Sequence, residues 1–317
     1  MSHEKSSVNG QAQGLKRVKV AELDQILGVA FKVLDDGFIR VIDYMGSDES
    51  IVKAARVSYG QGTKIVHEDR GLIRYLMRHG HTTPFEMCEM EFHIRAPMDC
   101  WRQWIRHRTA NVNEYSTRYS IAIDATQKTR PDQWRKQSAA NRQGSSTFLD
   151  SQTGQTLSEK EQKLHEFSRM VYEERLQVDV AREQARKDLP LSTYTEAYWK
   201  IDLHNLLHFL SLRMDSYAQL EIRSYANIIG REIVRKWCPL TWEAFLEYRM
   251  NSMTLSSIEC NVLKAIISGD SQNAEKIAKE FGWLDRVDRK LKLNRERAEF
   301  EYKLKQLGLP IPWEDSA

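Results

Sequence analysis

The sequence predicts an α+β fold: a mostly helical single domain with a small antiparallel sheet in the first third, followed by a helical C-terminal extension. Three observations carry this. Cys88, Met90, Phe92 and Ile94 alternate with Glu89, Glu91, His93 and Arg95, the period-two pattern of a strand with one buried face. Apolar residues from Val29 to Ile42 flank Asp36-Gly37, a turn dipeptide that predicts a β-hairpin. Later in the chain, from Leu164 onward, apolar residues recur at helical spacing through several segments.

The elements follow in order. Residues 1–20 read as a flexible tail. Asp48 suits the cap of a helix carrying Ile51, Val52, Ala55 and Val57. A second helix through Leu72, Ile73, Leu76 and Met77 should stop near Gly80, which suits a left-handed C-cap. His81-Thr82-Thr83-Pro84 is then a loop feeding the 88–95 strand, Pro97 ends that strand, and Met98 to about His107 is a helix. Residues 121–158 are rich in Ser, Gln, Thr, Asn and Asp with few apolar anchors, and read as an insertion or flexible loop. Helices are predicted over Leu164–Leu176, from Asp179 to before Pro190, over Trp199–Leu212 and over Ser216–Trp237, the last broken by Cys238-Pro239. Two short helical patterns follow Met253. The charged segment Asp285–Lys305 has a heptad that fails at Asn294 and Glu301, so no sustained coiled coil is expected. The domain thus spans 21–252, with an insertion at 121–158 and a charged helical extension over 253–317.

Composition narrows the class. With 317 residues, 41% hydrophobic and 29% charged, the chain is globular in character. No stretch approaches the roughly 18 apolar residues of a membrane span, and Met1–Gly14 is polar, without a signal-peptide core. Cys88, Cys100, Cys238 and Cys260 lie far apart with no C-x-x-C pair, so they read as buried thiols in a reducing, cytoplasmic compartment. A formal charge of +3 is too small to argue for nucleic acid, so local clustering must carry any such claim.

That clustering occurs between Arg106 and Tyr119, RHRTANVNEYSTRY. Arg106, Arg108 and Arg118 stand beside Ser116, Asn111 and Asn113, with Glu114 the only carboxylate. Guanidinium forks match phosphate or carboxylate oxygens bidentately, so the segment reads as a pocket for small anions. A polymer groove usually adds lysines and stacking aromatics along an extended path; this segment has no lysine. The segment His81–Glu86 joins a histidine, two hydroxyls and a carboxylate, and is either a site loop or a turn set by Pro84. His204 and His208 share a helix face. Asn205 stands where a zinc-protease motif needs glutamate, so no metal is expected. Asp202, His204 and His208 either line a cavity or are hydrogen-bonded core groups. Arg213 follows an apolar run and needs an anionic or accepting partner, either a ligand or nearby Asp215. With no G-x-G-x-x-G and no G-x-x-x-x-G-K-[ST], a nucleotide would be bound without a Rossmann or P-loop cradle.

Arg106-His107-Arg108, seven residues, then Ser116 resembles the signature of the flavin-dependent thymidylate synthases, and Asn113-Glu114 and Arg118-Tyr119 continue the pattern. The resemblance extends over residues 33–250, through HGHTTPFE, Arg102-Gln103-Trp104, Leu189-Pro190 and HFLSLR at 208–213. It implies a catalytic domain that converts dUMP to dTMP with FAD, with NADPH and methylenetetrahydrofolate as co-substrates. It also implies a homotetramer with active sites at subunit interfaces, with no membrane or nucleic-acid partner. By the same resemblance, Ser58, Thr83, Arg106, His107, Arg108 and Glu114 contact the flavin, and Asp202, His204 and His208 add to it. Gln103, Trp104, Ile105, Arg106, Glu114, Tyr115, Ser116, Thr117, Arg118 and Arg186 hold dUMP. Arg213, paired with the uracil ring, and His81 are the catalytic residues. Asp202 and His204 stand where members often carry Asn and Arg, and the 121–158 insert and the tail beyond 253 depart from compact members. The implied rivals are a flavin- and folate-dependent uridine methyltransferase on RNA, and a non-catalytic nucleotide- or RNA-binding protein.

Overall fold

A computed structural model describes residues 17–57, 69–138, 144–287 and 290–314. The chain divides at Met250/Asn251 into two compact units. The tail expected over 1–20 falls largely outside the described residues.

In the first unit, α1 (Ala21–Asp24) leads into β1 (Ala30–Val33) and β2 (Gly37–Met45), the expected hairpin. The helices α2 (Asp48–Val57), α3 (Asp69–His79) and α4 (Thr83–Glu86) follow, then β3 (Glu89–Pro97) and α5 (Met98–Trp104). Gly80 ends α3 with φ +66°, and His81 N–H closes back on Leu76 O at 3.0 Å, as a left-handed cap requires. Asp48 caps a different helix from the one expected: it is the first residue of α2, and its carboxylate accepts from Leu240 N and Thr241 N far along the chain. The expected loop at 81–84 is in part the single helical turn α4, with Pro84 in its first turn, where a missing N–H costs nothing.

Beyond β4 (Asn111–Glu114), the 121–158 segment is more ordered than its composition suggests. It holds a 3₁₀ turn (Pro131–Gln133), β5 (Arg135–Gln137) paired with β6 (Ser145–Phe148), and the first turns of α6 (Ser151–Gln177). The α6 helix starts well before Leu164 because Asp150 accepts Thr153 N at 2.8 Å. The bonds Gln155–Glu159 and Gln162–Glu166 support its polar face, which apolar periodicity cannot reveal. Next, α7 (Arg182–Ala185) and a 3₁₀ turn (Arg186–Asp188) occupy the segment expected as one helix, and Asp179 sits at φ +60° rather than starting it.

The clearest correction concerns Trp199. It lies in β7 (Tyr194–Asp202), and the helix expected from it, α8 (Leu203–Arg213), begins four residues later. The five-stranded sheet is ordered β1-β2-β3-β7-β4. All its pairings are antiparallel, and β7 lies between β3 and β4 with Phe92 opposite Trp199. Alternation of buried Ala197, Trp199 and Ile201 with Tyr198, Lys200 and Asp202 was the available signal.

The remaining helix of the sheet-covering layer runs as α9 (Leu220–Ile228), a π-helical stretch (Ile229–Val234) and α10 (Arg235–Trp237), starting at Leu220 rather than Ser216. Its expected face of Ile222, Ala226, Ile229, Ile233 and Trp237 is buried. After α11 (Pro239–Phe245), a π-helical turn (Leu246–Met250) ends the unit. Trp104, Trp199, Phe209 and Tyr225 meet in the core, with ring centroids 4.9–5.7 Å apart around Trp104. Three of the four cysteines are buried, Cys260 is half-buried, and all are free thiols. Among the described residues, no helix is long and apolar enough to cross a membrane.

The second unit contains α12 (Ser257–Ile267), α13 (Ser271–Glu280), β8 (Arg286–Val287), β9 (Lys290–Leu291) and α14 (Arg295–Gln306). A capping box of Ser256 and Glu259 starts α12. Part of the charged 285–305 segment supplies core: Phe300 and Leu304 of α14 pack with Trp283, Val262 and Trp313.

Two glycines in helices have opposite expectations. A Cβ at Gly154 in α6 would lie 1.9 Å from the Pro131 carbonyl oxygen, whereas one at Gly71 in α3 meets nothing within 4 Å. Gly154→Ala should cost about 2 kcal/mol because the backbone collision outweighs better helix propensity. Gly71→Ala should gain about 0.5–1 kcal/mol. Equilibrium denaturation of both variants measures this, and equal shifts would contradict the packing.

Candidate functional site

Two groups of polar side chains meet across the end of α8. The first lines a cavity of about 320 Å³ between α3, α4 and α8, walled by Gly80, His81, Thr82, Phe85, His204, Leu207, His208 and Ser211. Phe245 and Arg249 close it from the end of the unit. His81 is exposed on its rim, edge-on to Tyr75 at 5.6 Å. Thr82, rather than Thr83, is the threonine lining the cavity. The spacing of His204 and His208 does place both on the cavity wall.

The second group is carried by the end of α5, β4 and the turn after it. Pairing of β4 with β7 pins Asn111–Glu114 as an edge strand, and Glu114 accepts the Thr195 hydroxyl at 2.9 Å. The Tyr115 hydroxyl donates to Ile121 O at 2.7 Å, and Ser116 Oγ accepts Arg118 N at 3.4 Å. Arg186 donates to the Thr117 hydroxyl at 2.5 Å, and Arg118 meets Glu183 at 3.1 Å. These contacts gather Ser116, Thr117, Arg118 and Arg186 at one place. Arg118 is therefore not without a carboxylate, as the local sequence suggested; its partner comes from 65 positions away. Arg106 and Arg108 are exposed and form no ion pair among the described residues.

Arg213 joins the two groups. Its Nε donates to His107 Nε2 at 3.0 Å, and the His107 ring lies 6.1 Å from that of His208. Asp215 accepts Tyr217 N and makes no bond to Arg213 among the described residues. An imidazole nitrogen that accepts from a guanidinium carries no proton there, so His107 is held as the Nδ1–H tautomer. Burial, then the charge of Arg213, then His208 lower its pKa from the ordinary 6.5 to about 4. Burial above all, with the like charge of Arg106 adding to it, also lowers the Arg213 pKa.

A lowered histidine pKa means the unfolded chain binds the proton more readily over the interval between the two values. The stability it contributes is fully present above about pH 6.5 and is lost as pH falls toward 4. We expect the unfolding free energy to fall over that window, and to fall less steeply in His107→Asn. Identical pH slopes for the two proteins would contradict the assignment.

Two expected contacts have structural partners of their own, and a third lies outside the described residues. Trp104 is fully buried among core aromatics, backbone included, so it presents no surface to a ligand. Asp202 is the N-cap of α8, receiving Asn205 N at 2.9 Å on one oxygen and Asn205 Nδ2 at 2.7 Å on the other. Ser58 lies outside the described residues. Ile105 is 45% exposed and Gln103 is half-buried, bonded to Gln219. The cavity residues Phe85, Leu207, Ser211 and Arg249 were not singled out in the sequence. Arg249 carries no motif, and reaches the cavity because its guanidinium is tied to Met77 O at 3.1 Å. Among the described residues, no group of three or more His, Cys, Asp or Glu could hold a metal ion.

The model of the thymidylate synthase complementing protein family matches residues 40–240. A flavin-dependent thymidylate synthase of Wolbachia pipientis wMel is 51% identical over 266 residues, 83% of this chain and 92% of its own length. One from Gluconobacter oxydans is 50% identical over 268 residues, covering 84% and 88%. Among solved structures, the UMP/dUMP methylase PolB from Streptomyces cacaoi bound with 5-Br dUMP superposes with a TM-score of 0.62 at 32% identity. That match covers 69% of this chain and 98% of PolB.

Proposed function

Because the chain belongs to the thymidylate synthase complementing protein family, we propose that it converts dUMP to dTMP, using FAD, with methylenetetrahydrofolate as carbon donor and NADPH as reductant. The observation that carries this is the junction at Arg213: a half-buried guanidinium, tied through Nε to a neutral histidine, with exposed Arg106 and Arg108 forming no ion pair among the described residues.

The donor set fits a flavin nucleotide. Arg106 and Arg108 offer charge-assisted hydrogen bonds to phosphate oxygens, and the cavity wall of His81, His204 and His208 offers aromatic and polar contact to a flat ring. Thr83 and Glu114 complete the proposed set. Asp202 stays in the set, because its two oxygens each keep an acceptor site beside the bond from Asn205. When bound, FAD supplies the hydride chemistry.

The chain's own residues do the rest. Ser116, Arg118 and Arg186 with Gln103 and Arg106 hold dUMP, with the exposed Ile105 and the Glu114–Thr117 segment framing it. Arg213 faces the uracil ring, where a fixed positive charge stabilises developing negative charge and raises electron density at C5. That density favours attack of C5 on the one-carbon unit. His81 at the cavity rim orients the reactants there. Ser116 binds rather than attacks, since its hydroxyl accepts Arg118 N and has no histidine partner among the described residues. Exposed Leu164, Phe167 and Met170 along α6 offer an apolar contact surface between copies, which the proposed homotetramer with sites between subunits would use. The free cysteines support a cytoplasmic location.

The purified protein should be yellow, or become so with FAD, and its flavin absorbance should bleach under NADPH without air. It should release tritium from C5-labelled dUMP and not from labelled UMP or uridine in RNA. Colourless protein that cannot be reconstituted with FAD would sink the proposal. Release from UMP or RNA would move the substrate.

A further inference from the structure

We propose that Gln219 is a positioning residue, which fixes the side-chain amide of Gln103 for the nucleotide through a directed hydrogen-bond relay anchored on Asp99. This rests on the reading of Gln103 as a dUMP contact.

The relay has three members. Gln103 Nε2 donates to Gln219 Oε1, and Gln219 Nε2 donates to Asp99 Oδ2 at 3.4 Å. An amide is symmetric enough in shape to sit either way round, so its direction must come from chemistry. An ionised carboxylate only accepts, and Asp99 therefore requires the NH₂ end of Gln219. That choice turns the Gln219 carbonyl toward Gln103, which must answer with its own NH₂. Gln103 is left with its carbonyl and one N–H in fixed positions, at the end of α5 and three residues before Arg106. Without the relay, both orientations of the Gln103 amide become available, and only one presents the right groups to a ligand.

The relay is braced on both sides. Asp99 also accepts Cys100 N at 2.7 Å, which fixes its carboxylate at the start of α5. Glu221, in the first turn of α9, has one oxygen bound by Arg135 at 2.8 Å and a buried second oxygen without a partner among the described residues. Arg135 comes from β5, so the 121–158 segment reaches this network. Burial, with Glu221 adding, raises the Asp99 pKa above its ordinary value. A carboxyl placed at 219 would meet the same carboxylates.

This yields a test that mere packing would not pass. In Gln219→Glu, a protonated carboxyl reproduces the glutamine: its O–H donates to Asp99 and its carbonyl accepts from Gln103. An ionised one loses the donor. The charged and titratable groups of this network are Asp99 and Cys100 on α5, Glu221 and Arg223 on α9, Arg135 on β5 and Arg213 on α8. dUMP is titrated calorimetrically into full-length FAD-loaded wild type, Gln219→Leu and Gln219→Glu at pH 6 and pH 8, and each variant is expressed as a ratio to wild type at that pH. Gln219→Leu should weaken dUMP binding about tenfold at both, with kcat at saturating dUMP within about twofold. Gln219→Glu should bind nearly as wild type at pH 6 and about tenfold more weakly at pH 8. Wild-type affinity in Gln219→Leu overturns the proposal, as does an equal, pH-independent loss in both variants. If Gln219→Leu fails to fold, the pH 6 to pH 8 ratio of Gln219→Glu decides alone. Wild-type protein that binds no dUMP overturns the substrate reading as well. Wild-type binding with unaffected variants overturns only the relay.

Discussion

Arg213→Ala should keep its flavin and lose turnover by a factor of about 10³, the scale of removing one charged donor from a site where negative charge develops. The two effects separate because different residues carry them. In the proposed site the flavin is held by Arg106, Arg108 and the cavity histidines, none of which the substitution removes. Arg213 uses Nε for His107, leaving its two terminal nitrogens without partners among the described residues. Those are the donors a uracil ring would meet. Arg213→Lys tests the geometry rather than the charge: a lysine keeps the positive charge but cannot bond His107 and present a planar fork together. It should lose about 10²-fold, between alanine and wild type. Flavin absorbance measured beside tritium release separates the outcomes. Full activity in Arg213→Ala would refute the role, and loss of flavin would move Arg213 into the cofactor's binding set.

How much of this was legible depended on how far each signal reached along the chain. Period-two alternation at 88–95 and the Asp36-Gly37 turn are local, and both elements form where expected. The strand β7 carried the same alternation, but the helical run from Leu203 adjoins it directly and drew Trp199 into the wrong element. The start of α6 was hidden because Asp150 and polar i,i+4 pairs, rather than an apolar stripe, stabilise it. At the site, the spacing of His204 and His208 was enough to place both on one wall. The partners of Arg118 and Arg213 were not readable in the same way. Glu183 and His107 are brought to them by the β4–β7 pairing and the packing of α8, which no local pattern encodes. Asp202 shows the converse: its N-cap role is short-range and visible in the sequence as Asp-x-x-Asn.

Trp104 separates the two kinds of information a motif can hold. It stands inside the Arg102-Gln103-Trp104 run, between a half-buried amide and the exposed Ile105, and its position alone suggests a ligand contact. Its side chain instead fills the space between Trp101, Trp199, Phe209 and Tyr225. Trp104→Ala should therefore cost about 3–5 kcal/mol in unfolding free energy, the range for emptying an aromatic site in a core that can only partly collapse. Trp104→Phe should cost about 1–2 kcal/mol. The indole Nε1 is buried without a hydrogen-bond partner among the described residues, so phenylalanine gives up volume and no bond. The affinity of the folded Phe variant for dUMP should match wild type, because the lost atoms face the core. The opposite pattern, with affinity falling and unfolding midpoint unchanged, would place the indole in the nucleotide site. The expected pattern gives the motif two functions: Gln103 and Ile105 on either side of Trp104 face the ligand, while Trp104 holds α5 against β7 and α8. Gln103 and Arg106 can then be aimed with precision only because the residue between them is anchored in the core.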